Sequence, residues 1–454
     1  MCCLPPVTDS TMPPRFAIYT LGCKVNQYDS FAIARELALR GWTQVGFDED
    51  ADAYIIDTCT VTGVADRKSR KAIRRATSAA PNALVVVTGC AAERSAEALR
   101  QIKGVKLVIG NQRKQQLADE LCRLIAERRH AAGENEGEPA ATSGFSPEAK
   151  IPSAIALPLI HKPRFLLKIQ DGCNRRCSYC IVPSVRGKSR SRPVREVLAE
   201  AHSAVEQGAR EVVLTGIQLG DYGLDLPEGR RALLQLITSL HEIEPLARIR
   251  FSSILPQDIT ADLLTLMANS PKVCQHLHIP LQSGSDAVLR QMRRGYTSAQ
   301  FLEIIRRARR VLPDLAVTTD VMVGFPGETE EDFLATVSVA EKVRFSRMHI
   351  FQFSPRPGTK AAEMPEQIPS SLKEQRSSKL FALAEKLATE FASKRLGKLE
   401  QVLLESVAAD GRTGVGYTGT YIRTVVRGAD MCPGELVTVM PRQWSAGCLI
   451  ADAL

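Results

Sequence analysis

The chain has 454 residues, 44% hydrophobic and 24% charged, which is too long for one ordinary core and suggests two to four domains. No run of eighteen apolar residues offers a membrane span, and the start MCCLPPVTDS lacks the basic and apolar stretches of a secretory leader, so a cytosolic protein is expected. A net charge of +9 favours a polyanionic partner, and in a reducing compartment the twelve cysteines read as thiols for metal binding or catalysis rather than as disulfides.

From Arg15 to about Arg129, apolar strand-like runs alternate with helical patterns: FAIYTLGC, AYIIDTC and ALVVVTGC, each followed by a helix. This predicts an α/β domain with a parallel sheet over residues 15–129. Each run ends in a cysteine, Cys23, Cys59 or Cys90. Strand carboxyl ends of a parallel sheet lie on one edge, where ligands bind, so three cysteines distant in sequence can meet. Residues 130–160, rich in Gly, Ala, Glu, Ser and Pro, read as a linker.

Six strand candidates follow: FLLKIQ, EVVLTG, RIRFSS, QHLHIP, AVTTDVMVG and SRMHIFQF, separated by helical patterns. Six βα units predict a partial barrel over 161–396, with functional residues on the loops after its strands. A long amphipathic helix from about Ser371 to Arg395 closes it. EQVLLES, GVGYTGTYIRTVV and ELVTVMPRQ then predict a small all-β barrel over 397–454.

Directly after the first barrel strand, Cys173, Cys177 and Cys180 have the spacing C-x3-C-x2-C. Soft thiolates select iron–sulfur clusters or zinc, and a cubane held by three cysteines leaves one iron open to an outside ligand. The alternative is a zinc knuckle completed by His276 or His278. Tyr179 offers an aromatic face to a cofactor ring. Arg67, Arg70, Lys71 and Arg74 share one face of the helix after Cys59, beside Lys68 and Arg75. This is either a solvated face or a phosphate-tracking one, and RGKSRSRP after Cys180 is read the same way. Cys2, Cys3, Cys122, Cys274, Cys432 and Cys448 read as structural or incidental.

The C-x3-C-x-aromatic-C pattern resembles the radical S-adenosylmethionine enzymes. Together with TLGCKVNQYDS, DTCTVTGVADRKSR, VTGCAAER, LTGIQLGDYG, HIPLQSGSDAVLRQMRR, VGFPGETEEDF and FSPRPGTKAAEM in order, the chain from Phe16 onward resembles the radical methylthiotransferases, with a terminal barrel similar to the TRAM RNA-binding module. The resemblance implies a 4Fe-4S cluster on Cys173, Cys177 and Cys180, with S-adenosylmethionine on its open iron, and a second 4Fe-4S cluster on Cys23, Cys59 and Cys90. It implies contact with the methionyl amino group from Thr215, Gly216 and Gln218, and with the adenosyl moiety from Gln282, Ser283, Gly324, Gly327 and Glu328. Asp57 stands where the family more often has Asn, placing a negative charge near the second cluster.

By the same resemblance the expected reaction is methylthiolation at C2 of N6-threonylcarbamoyladenosine at position 37, beside the anticodon of tRNA. One S-adenosylmethionine serves as methyl donor and another as radical source. The expected partners are the anticodon stem-loop and an electron donor of flavodoxin or ferredoxin type; the sequence names no sulfur donor. Sister activities on isopentenyladenosine in tRNA or on an aspartate of a ribosomal protein form one alternative. A non-catalytic iron–sulfur RNA-binding protein forms the other.

Overall fold

The structure, a computed structural model, describes residues 13–131 and 163–454. Within these the chain divides into two units, one drawn from residues before 159 and the other from Leu159–Leu454 with Val61–Gly63. Most of the expected linker, and Cys2 and Cys3, lie outside the described residues.

In the first unit, β1 (Arg15–Thr20), β2 (Thr43–Val45), β3 (Ala53–Thr58), β4 (Leu84–Gly89) and β5 (Val105–Ile109) form a parallel sheet in the order β2-β1-β3-β4-β5. The central strands β3 and β4 are buried at every residue, as continuous apolar runs covered on both faces must be. Helices α1 (Lys24–Leu39), α2 (Gly63–Ala79) and α3 (Cys90–Arg94) follow β1, β3 and β4. On α2, Ser69, Ala72, Ile73 and Ala76 are buried at helical spacing, and Ala72, Ile73 and Ala76 pack with Ile56, Val85 and Val87. Three strands were expected and five are found. The edge strand β2 has three residues, and β5 is only buried at its end, so neither carries a long apolar signature.

In the second unit the six expected barrel strands are all present: β6 (Arg164–Lys168), β9 (Glu211–Thr215), β10 (Arg248–Phe251), β11 (His276–His278), β12 (Ala316–Val323) and β13 (Arg347–Gln352). A short hairpin, β7 (Gln170–Asp171) with β8 (Arg190–Ser191), intervenes after the first of them. The parallel sheets β10-β9-β6 and β11-β12-β13 are joined by the bridges Ile249 to Val273 and Ser253 to His278, which gives a partial barrel. Its core includes Leu167, Val212, Leu214, Ile249, Leu277, Val317 and Val321, all nearly solvent-free. The closing helix spans Ser370–Ser393 and packs along β13.

The terminal strands β14 (Glu400–Val407), β15 (Thr413–Thr418), β16 (Arg423–Arg427), β17 (Leu436–Ser445) and β18 (Cys448–Ala453) close into a barrel in the order β14-β15-β16-β18-β17. The single run GVGYTGTYIRTVV divides into β15 and β16, and β18 was not foreseen. This small barrel seats on the amino ends of the larger barrel's strands. Arg248 Nη1 and Nη2 donate to the carbonyls of Tyr417 and Gln401 at 2.7 and 2.6 Å, and Arg250 donates to those of Gly419 and Thr418 at 3.0 and 3.1 Å. Both arginines are buried, and Glu211 balances them, with Oε1 2.7 Å from Arg250 Nε. Burial opposes ionisation of Glu211, but its arginine neighbours hold the carboxyl below its ordinary range.

Candidate metal centres

The loop carrying Cys173, Cys177 and Cys180 leaves β7 at the carboxyl end of the barrel, and its other end returns through β8. Several bonds tie it shut. Cys173 N donates to Gly187 O at 3.1 Å, and Arg186, almost fully buried, donates to both oxygens of Asp171 at 2.9 and 3.0 Å. Arg186 therefore braces the loop rather than facing a nucleic acid, which removes it from the phosphate-tracking face expected of RGKSRSRP. The three thiols feel one another electrostatically, and burial raises Cys173 above its ordinary pKa and pushes Cys180 up to about 12. The backbone N–H of Arg175 reaches Cys173 Sγ at 3.4 Å. Such thiols become thiolates when a metal displaces their protons.

The zinc-knuckle alternative fails on its fourth ligand. His276 Nε2 and His278 Nδ1 each hydrogen-bond Thr318 Oγ1 at 3.0 Å, and His278 Nε2 pairs with Asp320 at 3.2 Å, so both belong to the barrel wall. Among the described residues no three His, Cys, Asp or Glu side chains stand close enough to share one ion. Thiolates that each take a separate iron of a cluster stand farther apart than ligands of a single ion.

Buried polar atoms seldom lack partners in a folded protein, and a group of them beside three thiols calls for a bound water, ion or ligand. Around the carboxyl ends of these strands, Arg175 Nε, Ser178 Oγ, Ser252 Oγ, Gln282 Oε1 and Arg294 Nη2 are buried without a hydrogen-bond partner among the described residues. Gln282 also holds a left-handed backbone, φ 66°, fixed by Gln282 N to Asp320 O and Met322 N to Gln282 O at 2.9 Å each. This polar rim and the adjacent thiols fit a polar cofactor with a cluster.

The other residues implied by resemblance divide by what already occupies them. Gln218 sits beside the cysteine loop, its Nε2 held by Asp258 at 2.6 Å and its N–H by Gln170 Oε1 at 2.9 Å. Gly216 lies against Gln170, and Thr215 turns its hydroxyl to Val213 O. Tyr179 packs against the cluster containing Val288, Met292, Phe325 and Phe353, so its ring serves the core. Ser283 bonds Thr336 and Ser285 N. Gly324 N–H and Arg376 both donate to Glu328 Oε1, at 3.0 and 2.6 Å, and Gly327 N donates to Glu366 O at 3.0 Å. Glu328 thus supports its loop from behind. Gln170, Asp258 and Arg294, none singled out in the sequence, join the loops; a spacing motif carries no sign of such long-range partners.

In the first unit Cys23 caps α1, Cys59 follows β3, and Cys90 opens α3. Register sets the strand ends that precede them side by side on one edge, because Thr20 pairs with Asp57 and Thr58 with Gly89. At Gly22, φ 103°, an added Cβ would lie 2.9 Å from Cys59 Cβ and 3.0 Å from its Sγ. At Gly89, φ 93°, it would strike Thr58 O and Asp57 Oδ1 at 2.4 Å. Only glycine fits these turns. Asn111 Nδ2 lies 3.5 Å from Cys90 Sγ, a donor suited to a metal-bound sulfur.

Asp57 has partners that its own stretch of sequence does not show. It is fully buried, with Lys114 Nζ 3.0 Å from both oxygens, Ser30 Oγ at 2.9 Å and Asn26 Nδ2 at 3.2 Å. Burial raises its carboxyl above the ordinary range while Lys114 pulls the other way. Lys114 also reaches Asp29 at 3.3 Å, so one buried cation is shared by two carboxylates near these cysteines. On α2, Arg67, Lys71 and Arg74 are exposed and Arg70 half-buried, whereas Arg75 pairs with Asp48 and lies over Phe47.

A partial barrel of six parallel strands with C-x3-C-x2-C after the first defines a radical S-adenosylmethionine enzyme, and residues 167–340 match the Radical SAM superfamily model. Residues 15–110 match the model described as uncharacterized protein family UPF0004. The fold resembles TsrM of Kitasatospora setae, a radical S-adenosylmethionine methyltransferase, with TM-score 0.54 and 19% identity over 77% of each chain. The chain is 38% identical to the threonylcarbamoyladenosine tRNA methylthiotransferase MtaB of Bacillus subtilis, over 93% of this chain and 92% of that one. It is 36% identical to the tRNA-2-methylthio-N(6)-dimethylallyladenosine synthase of Acidothermus cellulolyticus, over 97% and 88%. The chain belongs to the radical S-adenosylmethionine methylthiotransferase family. Membership of the radical S-adenosylmethionine superfamily implies a 4Fe-4S cluster and S-adenosylmethionine. No helix among the described residues is long and apolar enough to cross a membrane.

Proposed function

We propose that this protein is a tRNA methylthiotransferase that replaces hydrogen at C2 of N6-threonylcarbamoyladenosine, at position 37 beside the anticodon, with a methylthio group. The observation that carries this reading is the 38% identity, over nearly the whole of both chains, to a threonylcarbamoyladenosine tRNA methylthiotransferase. Two cysteine triads at carboxyl ends of parallel strands support it. Cys173, Cys177 and Cys180 would hold one 4Fe-4S cluster, and Cys23, Cys59 and Cys90 a second. We read the domains as 15–129 and 161–396 joined by 130–160, with an RNA-binding barrel at 397–454.

S-adenosylmethionine held at the first cluster would supply the radical chemistry that an unactivated C–H bond requires, a second molecule would supply the methyl group, and the second cluster would hold the sulfur that joins them. The chain's own residues bind and orient. Gln170 and Asp258 hold the Gln218 loop beside the cysteines. Gln282 turns an unpartnered carbonyl to the same rim, where the adenosyl moiety would lie. Gly324, Gly327 and Glu328 shape the neighbouring loop, and Arg376 fixes it from the long helix. The exposed cations of α2 would track phosphates of the anticodon stem-loop, and a target base inside a folded loop must be unstacked to be reached. The working partners are cytoplasmic tRNA and a flavodoxin- or ferredoxin-type reductant.

Mass spectrometry of tRNA nucleosides from cells lacking the gene tests the reading, with loss of methylthio-threonylcarbamoyladenosine expected. Loss of the methylthiolated dimethylallyladenosine instead would favour the sister activity that the 36% relative carries by name. If reduced, anaerobically reconstituted protein yields no 5′-deoxyadenosine from S-adenosylmethionine, the protein is an RNA-binding iron–sulfur protein without this catalysis.

A further inference from the structure

Arg294 follows the helix Asp286–Met292 and its left-handed cap Arg293, and its side chain turns inward behind the cysteine loop. It is only 8% exposed. Nη1 lies 3.5 Å from Cys177 Sγ and 3.4 Å from the Tyr179 hydroxyl, and Nε lies 3.3 Å from the Tyr296 hydroxyl. The guanidinium stands 5.5 Å from the centre of the Tyr296 ring, and Nη2 is buried without a partner. Tyr296 donates its own proton to the carbonyls of Pro280 and Leu281.

Arg294 lacks the acid that three other deeply buried arginines have. Arg186 has Asp171, Arg250 has Glu211 and Arg376 has Glu328. Among the described residues no carboxylate pairs with Arg294; its ionisable neighbours are Tyr179, Tyr296 and Cys177. Phenols are neutral below about pH 10. A buried cation without an anion is costly enough that folds do not keep one idle, which leaves the sulfur of Cys177 as the place where negative charge must appear. A doubly positive 4Fe-4S core on three thiolates is formally one charge negative, and two once reduced.

We infer that Arg294 is the counter-charge of the cluster held by Cys173, Cys177 and Cys180, a positioning residue that stabilises its reduced state through the Cys177 sulfur. This rests on the reading of those cysteines as a cluster site. A cation at that distance favours the more negative state, so removing it disfavours reduction. Arg294 therefore assists the electron's arrival before any substrate is present.

The test is a redox titration of full-length, anaerobically reconstituted protein carrying Cys59→Ala, so that one cluster contributes, followed by electron paramagnetic resonance without S-adenosylmethionine. Arg294→Met should keep the iron content but shift the reduction equilibrium at least tenfold toward the oxidised state, equivalent to 59 mV for one electron. Arg294→Lys, which keeps the charge, should shift it less than threefold. An unshifted Arg294→Met, or equal shifts in the two variants, overturns the counter-charge role. A shift that appears only after S-adenosylmethionine is added overturns it in favour of a contact with that molecule's carboxylate. If Arg294→Met does not fold, Arg294→Gln is read by the same criteria. Absence of iron from the Cys59→Ala parent would defeat the cluster reading itself, a distinct outcome.

Discussion

The two cysteine triads solve one problem in opposite ways. Cys173, Cys177 and Cys180 lie within eight residues on a loop pinned by a two-residue hairpin, so their proximity is written into the chain. Cys23, Cys59 and Cys90 meet only if β1, β3 and β4 pair in register and glycines 22 and 89 turn tightly at two of the junctions. Their electrostatics differ as well. Beside the dispersed triad the buried acid Asp57 meets Lys114, while beside the compact triad stands a buried cation, Arg294, that no acid among the described residues pairs with.

The sharpest way to break this comparison is to remove one thiol from each triad. Cys177→Ala should abolish 5′-deoxyadenosine formation and lose about half the iron, while Cys59→Ala should lose the other half and the methylthiolated product yet still cleave S-adenosylmethionine. Iron content equal to wild type in both variants would refute the two-cluster claim. Next in size, Lys114→Met strands Asp57 without its cation and should destabilise the first unit by about 3–5 kcal/mol. Adding Asp57→Asn should recover most of that loss in denaturant melts, and no recovery would mean that the Lys114 stem, not its charge, matters.

A smaller effect tests whether the first unit also handles RNA. Arg70→Ala with Lys71→Ala should weaken tRNA binding and lower the slope of log affinity against log salt by about 1 per lost phosphate contact. An unchanged slope would make α2 a merely solvated face. The smallest concerns the larger barrel, where His349 Nδ1 bonds Asp320 at 3.1 Å and that bond raises the histidine above its ordinary pKa. A raised histidine contributes stability that is present below about pH 6.5, its unfolded value, and disappears as pH rises through the folded one. Because His349 is largely exposed, the contribution is at most about 1 kcal/mol. His349→Gln should flatten the pH dependence of unfolding by that amount.

Much of this architecture was legible because its signals are local. The six barrel strands show as apolar runs, and the C-x3-C-x2-C loop needs only its own eight residues. The dispersed triad was legible one step further on, since each cysteine ends a strand-like run and parallel strands share an edge. What escaped were partners far apart in sequence. Nothing near Asp57 announces Lys114, 57 positions away, and RQMRRGYT does not reveal which arginine turns inward to Cys177. The missed strands β2, β5 and β18 are short or lie at sheet edges or hairpin returns, where alternation is too brief to read. Glu328, expected by resemblance at the adenosyl moiety, also has a partner no local stretch shows, since Arg376 reaches it from the distant helix.

The small barrel grips the larger one by the amino ends of its strands, whereas the cysteine loop crowns their carboxyl ends. A five-residue strand such as β6 spans roughly 17 Å, so barrel wall of that order separates the two ends. On the proposed function the enzyme is a ruler with a grip at one end and a reacting mark at the other. A free nucleoside is too short to touch both, while a folded stem-loop can lie along the side. Selection would then depend on the length and bend of the RNA before any base edge is read.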